Sequence, residues 1–131
     1  MTHWRVDPSL EQPPWRQVVE HVLDAVAGGA VAPGEALLSV RAMAAAAQVN
    51  HNTVARAYRD LEALGVVRGR NGRGVFVEPA GPGLAREQRS AETLERFADA
   101  VRDALRAGHD AEALRAAIES LAGEAPRRRA S

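Results

Sequence analysis

Arg41, His51, Asn52, Thr53, Arg56 and Arg59, followed by Arg70, Asn71, Gly72 and Arg73, are the residues of this chain with chemistry to offer. An arginine fork matches a phosphate or the N7/O6 edge of guanine. Asparagine pairs two-pronged with adenine, and the threonine methyl can meet the methyl of thymine. Glycine lets a loop tip enter a narrow minor groove, whose negative potential draws arginine. Together these residue types are suited to reading duplex DNA. They are not suited to catalysis. His3, His21, His51 and His109 lack metal-ligand spacing with one another or with a carboxylate, and no Ser/His/Asp set is in a recognisable context. The wing glycines are not a dinucleotide fingerprint, because no helix follows them as that motif requires. The reading is therefore of a protein that is not an enzyme, with no cofactor and no metal.

Two elements must position these groups. Ser39 is a good N-cap for a short alanine-rich helix ending near Ala47. Asn50 caps the next helix, His51 to Leu64, about 21 Å long and so able to lie in a major groove. Its apolar face is Val54, Ala57, Tyr58, Leu61 and Leu64; the opposite face carries Asn52, Thr53, Arg56, Arg59 and Asp60. Val66–Arg68 and Val75–Val77 are β-rich runs around Asn71-Gly72, a strong hairpin signal. A helix-turn-helix with a basic wing results. Asn50 joins the DNA-facing set through its place at the helix start. Arg59 has Asp60, Glu62 or another subunit as alternative partners.

Upstream, Trp4 to Asp7 reads as a short extended segment. Pro13-Pro14 opens a helix in which Trp15, Val18, Val19, Val22, Leu23 and Val26 recur at helical spacing, and Gly28-Gly29 ends it. Trp15 and Tyr58 sit on the apolar sides of their helices and read as core. Pro33-Gly34 is a turn, and Ala36–Leu38 reads as a short strand.

The chain has no net charge, yet its charge is unevenly placed. Residues 39–77 hold six arginines against Asp60 and Glu62, a net of +4, whereas residues 1–38 and 83–122 are net acidic, −3 and −2. Local potential, not total charge, steers nucleic acid. All seventeen basic residues are arginine, and there is no cysteine. Met1 to Ser9 lacks the apolar run of a signal peptide, and no stretch approaches a membrane span, so a cytoplasmic location without membrane association is expected.

Several motifs, in order and spacing, resemble the GntR type of bacterial transcription regulator, and within it the short YtrA-like subfamily. They are Pro13-Pro14-Trp15-Arg16-Gln17-Val18, Pro33-Gly34-Glu35, Ser39-Val40-Arg41, Val49-Asn50-His51-Asn52-Thr53-Val54 with Arg56-Ala57-Tyr58, and Gly72-Arg73-Gly74-Val75-Phe76-Val77. The resemblance covers about Trp4 to Val77. Leu38 and His51 stand where prolines are usual, and Gln48 where glycine is common in the turn. Ala55 occupies the place of a frequent DNA-contacting arginine, with Arg56 next to it as in the subfamily. The resemblance implies a DNA contact at Arg41. It also implies a homodimeric repressor of its own operon, and of adjacent ABC transporter genes, on inverted-repeat operators of the GT…AC kind.

Pro79 to Gly83 reads as a linker. Residues 84–122 read as two amphipathic helices, with Leu94, Phe97, Val101, Leu105, Leu114, Ile118 and Leu121 on their stripes. Two helices of this size bury their own stripes poorly, so a second copy is expected to cover them. Residues 123–131, with Arg127-Arg128-Arg129, read as a disordered tail. The expected architecture is mainly α with a small β-wing. A winged helix-turn-helix domain (1–78) precedes a linker (79–83) and a C-terminal α-helical hairpin (84–122) for dimerisation. The expected partners are a double-stranded DNA operator and a second copy of the chain, with any small-molecule effector unknown. The competing reading is a winged-helix protein-interaction module without specific DNA binding.

Overall fold

The computed structural model describes residues 4–124, which fall into two compact units, one ending at Ala91 and the other beginning at Glu92. The element order is α1 (Pro14–Ala27), α2 (Val40–Ala47), α3 (His51–Ala63), β1 (Val67–Arg70), β2 (Gly74–Val77), α4 (Gly81–Arg106) and α5 (Ala111–Glu124). The chain is mostly helical with one small antiparallel sheet.

In the first unit, α1 starts on Pro14, whose fixed φ suits the first turn, and stops at Gly28. Its inner face, Val18, Val19, Val22, Leu23 and Val26, is fully or almost fully buried. It packs against Val54, Ala57, Tyr58 and Leu61 of α3, while Met43, Ala44 and Ala47 of α2 close the third side. Tyr58 is core, as its place on the apolar stripe requires, and its hydroxyl donates to the Leu38 carbonyl at 2.7 Å. That bond satisfies a phenol whose burial pushes its ionisation well above the ordinary range.

Gln17 is the buried polar residue of this core. Its Oε1 accepts from the Asp7 N–H at 2.9 Å, and its Nε2 donates to the carbonyls of Asp7 (3.0 Å) and Gln12 (2.9 Å). One side chain thus replaces the backbone partners that the irregular segment 7–12 cannot find for itself. Residues 4–7 form no strand; the Val6 N–H donates instead to the Ala47 carbonyl at 3.2 Å. Trp4 stacks on His21 with ring centroids 4.0 Å apart. Burial holds the His21 imidazole below its ordinary pKa, against the opposing pull of Asp24.

The sheet pairs Val67 with Val77, Arg68 with Phe76, Gly69 with Val75 and Arg70 with Gly74. The segment read as a short strand at 36–38 makes one bridge, Ala36 to Phe76. Around it, Gly34 and Leu37 donate to the carbonyls of Val77 and Val75, and Val77 donates back to Glu35. The outer edge of β2 is therefore covered.

The segment 79–83, expected as a linker, is where α4 begins. Proline and glycine here do different work from chain loosening. Pro82 occupies the first turn, where its missing N–H costs nothing. Gly81 is buried because the backbone just before β1 passes so close that a Cβ would lie 2.6 Å from the Val66 carbonyl oxygen. Ala85 is fully buried in the first unit's core. One turn on, Arg89 Nε bonds Asp24 Oδ1 at 2.7 Å and Nη1 reaches Glu20 Oε1 at 3.2 Å, tying α4 to α1. Gly81→Ala is expected to cost about 1–3 kcal/mol by overpacking against backbone. Thermal denaturation reads this as a fall of several degrees, roughly 4–8 °C per kcal/mol for a unit this size. An unchanged melting temperature would mean that α4 can shift without penalty.

The second unit contains the rest of α4 and α5. Asp110 caps α5, its Oδ1 accepting from the Ala113 N–H at 2.9 Å. No residue of α5 is buried. Gly123 and Glu124, expected in the tail, complete α5, while Arg127, Arg128 and Arg129 lie outside the described residues. No helix of the described residues is long and apolar enough to cross a membrane.

Candidate nucleic-acid interface

The turn between α2 and α3 sets the interface. Ser39 Oγ accepts from the Ala42 N–H at 3.0 Å, so α2 starts with Arg41 exposed in its first turn. Gln48 ends α2 in the left-handed conformation, φ 58° and ψ 49°, the geometry glycine usually supplies. A side chain there costs on the order of 1 kcal/mol. Asn50 Oδ1 accepts from the Asn52 N–H at 2.7 Å, so Asn50 acts as the N-cap of α3. His51 and Asn52 are exposed in the first turn of α3, and Thr53 is half-buried.

Asn52, Arg56 and Arg59 follow the i, i+4, i+7 spacing of one helix face, and all three are exposed opposite the buried Val54–Ala57–Tyr58–Leu61 stripe. Arg59 makes no ion pair with Asp60 or Glu62 among the described residues. Glu62 is engaged elsewhere, its Oε1 accepting from the Gly69 N–H of β1 at 2.9 Å. That bond fastens the end of α3 to β1.

The wing tip is Asn71-Gly72-Arg73, exposed throughout. The Arg73 N–H donates to the Arg70 carbonyl at 2.9 Å. Gly72 has φ +71° and Asn71 does not have positive φ, so the tip is not the mirror-image two-residue turn that Asn-Gly most often signals. Arg70 lies over the Phe76 ring at 5.1 Å.

The structure places Asn50, His51, Asn52 and Thr53 at the start of α3, Arg56 and Arg59 on its outer face, and Arg41 in the first turn of α2. Arg70, Asn71, Gly72 and Arg73 are on the adjoining hairpin of the same unit. Among the contacts it adds that sequence reasoning missed, one joins two helices. The Arg56 guanidinium stacks on Trp15 of α1, 4.0 Å from the ring centroid. Trp15 had been read as core; it is half-buried at the core margin. Its place in the first turn of α1, at the end of the apolar stripe, was the available signal.

Five of the seven stripe residues expected at the dimer contact keep their faces open. Leu94 is 65% exposed, Leu121 63%, Leu105 50%, Phe97 49% and Ile118 45%. Val101 and Leu114 are half-buried.

Residues 14–77 match the family described as bacterial regulatory proteins, gntR family. The transcriptional repressor YtrA of Bacillus subtilis (strain 168) is 28% identical over 120 residues, covering 92% of each chain. A GntR family transcriptional regulator from Listeria monocytogenes shares the fold with TM-score 0.71 at 24% identity, over 88% of this chain and 98% of that one. The DNA-binding domain of AraR, solved in complex with operator ORX1, superposes with TM-score 0.54 at 22% identity, over 59% of this chain and 99% of that one. The matched relatives are regulators of transcription, a non-enzymatic class. The winged helix-turn-helix at residues 14–77 is thus that of the gntR family of bacterial regulatory proteins.

Proposed function

We propose that this regulator is a cytoplasmic homodimeric repressor that binds an inverted-repeat operator, with one half-site per subunit. The observation that carries the reading is the exposed arginine-bearing face of α3 beside an arginine-tipped wing, in a chain otherwise net acidic. Arg41, Asn50, His51, Asn52, Thr53, Arg56 and Arg59 are assigned to the major groove and its phosphates, and Arg70, Asn71, Gly72 and Arg73 to the backbone or minor groove. Leu94, Phe97, Val101, Leu105, Leu114, Ile118 and Leu121 are assigned to the dimer interface, because large apolar side chains left open on two helices require a cover. The similar B. subtilis protein is named a repressor, which supports that sign of regulation here. Autoregulation, with adjacent ABC transporter genes as further targets, completes the reading. A dimer on its own promoter excludes polymerase by occupying the site.

A mobility shift with duplex DNA from upstream of the chain's own gene tests this directly. Affinity should fall linearly with log salt, by about 0.9 per phosphate contacted, and exceed that for unrelated duplex by about 10³-fold or more. Binding that is absent, or indifferent to salt, would favour a protein-interaction module instead.

A further inference from the structure

Trp15 follows the proline pair that opens α1, and its ring stands at the margin of the core instead of inside it. Arg56 comes from a different element, one turn after Asn52 on the exposed face of α3. The two meet with the guanidinium carbon 4.0 Å from the ring centroid. No carboxylate holds Arg56 among the described residues, so the ring takes the place that an ion pair would otherwise fill.

This choice of partner has chemical consequences. A carboxylate would occupy the in-plane N–H donors of the guanidinium and cancel its charge. An aromatic face covers only one side of the plane and leaves the donors and the charge free. It also restrains a long side chain that would otherwise lose rotamer freedom on meeting a ligand. Arginine is the basic side chain able to both stack and present a fork. From this geometry we infer that Trp15 is a positioning residue for DNA recognition. It holds Arg56 with its fork facing outward, to meet a phosphate oxygen or a guanine edge. This rests on the operator-binding reading and gives α1, which carries no other assigned DNA role, a part in it.

The test is a double-mutant cycle on duplex from upstream of the chain's own gene. Trp15→Leu should weaken binding about 2–5-fold, the worth of a partly exposed cation–π contact, and Trp15→Phe should restore part of it. In an Arg56→Ala background Trp15→Leu should cost nothing further. A second readout leaves Trp15 in place. With Trp4→Phe, Trp15 is the remaining tryptophan of the chain, and its emission should change when duplex is added. Arg56→Ala should abolish that change. Equal losses in both backgrounds, or an emission change that survives Arg56→Ala, would return Trp15 to simple core packing. Wild-type protein that fails to bind the duplex would overturn the operator reading itself, and this inference with it.

Discussion

Phe97→Asp with Leu105→Asp is expected to convert the protein to a monomer and to lower operator affinity by about 10²–10⁴-fold, the advantage of engaging two half-sites through one linked molecule. Both side chains are about half exposed on the part of α4 that belongs to the second unit. Burying their remaining exposed halves in a second copy is worth roughly 0.7–1.5 kcal/mol per side chain. A carboxylate at the same place would have to be desolvated without a partner, which proteins avoid by staying apart. The winged unit should remain folded, because the contacts that secure it, from Gln17 to Arg89, lie before Ala91. Light scattering would give the mass, and a salt titration the number of phosphates engaged. A monomer on one half-site should show about half the wild-type salt slope. A variant that remains a dimer would place the subunit contact elsewhere and leave the open stripe without the role assigned to it.

Much of the winged unit was legible because local chemistry and global packing agree there. Ser39 and Asn50 each cap the helix they precede, and the Val54–Ala57–Tyr58–Leu61 stripe is the buried face of α3. Gln48 takes the left-handed conformation that its place in the turn demands. Three features were not legible, each for a tertiary reason. Gly81 and Pro82 carry the composition of a linker, yet the glycine is there for the closeness of Val66 and the proline for a helix start. Local composition cannot distinguish a loose chain from one that must pass very near another. The type of the wing turn depends on the strands it joins, so Asn71-Gly72 marked the tip without specifying its dihedrals. The Trp15–Arg56 stack joins α1 and α3 across forty residues, and no periodicity within either helix reports it. The candidate site was legible as a set of positions. What could not be read was which neighbours hold those positions in place: Trp15 for Arg56, Phe76 for Arg70 and Glu62 for the wing.

Arg41→Ala is expected to weaken operator binding by about 5–150-fold, the worth of 1–3 kcal/mol for one two-pronged contact. The fold should be indifferent. The N-cap is Ser39, and the residues of α2 that enter the core are Met43, Ala44 and Ala47, so truncating an exposed first-turn side chain removes no packing. Arg41→Lys separates the two forms the contact can take. If Arg41 meets a phosphate, lysine keeps the charge, most of the affinity and the salt slope, and the small loss is the same on every sequence. If Arg41 grips guanine, lysine loses the planar fork, and discrimination relaxes at one base pair in each half-site. Competition with duplexes changed at single positions distinguishes these outcomes, and the affected pairs should be related by the operator's two-fold axis. Unchanged affinity in Arg41→Ala would remove the first turn of α2 from the interface and leave recognition to α3 and the wing.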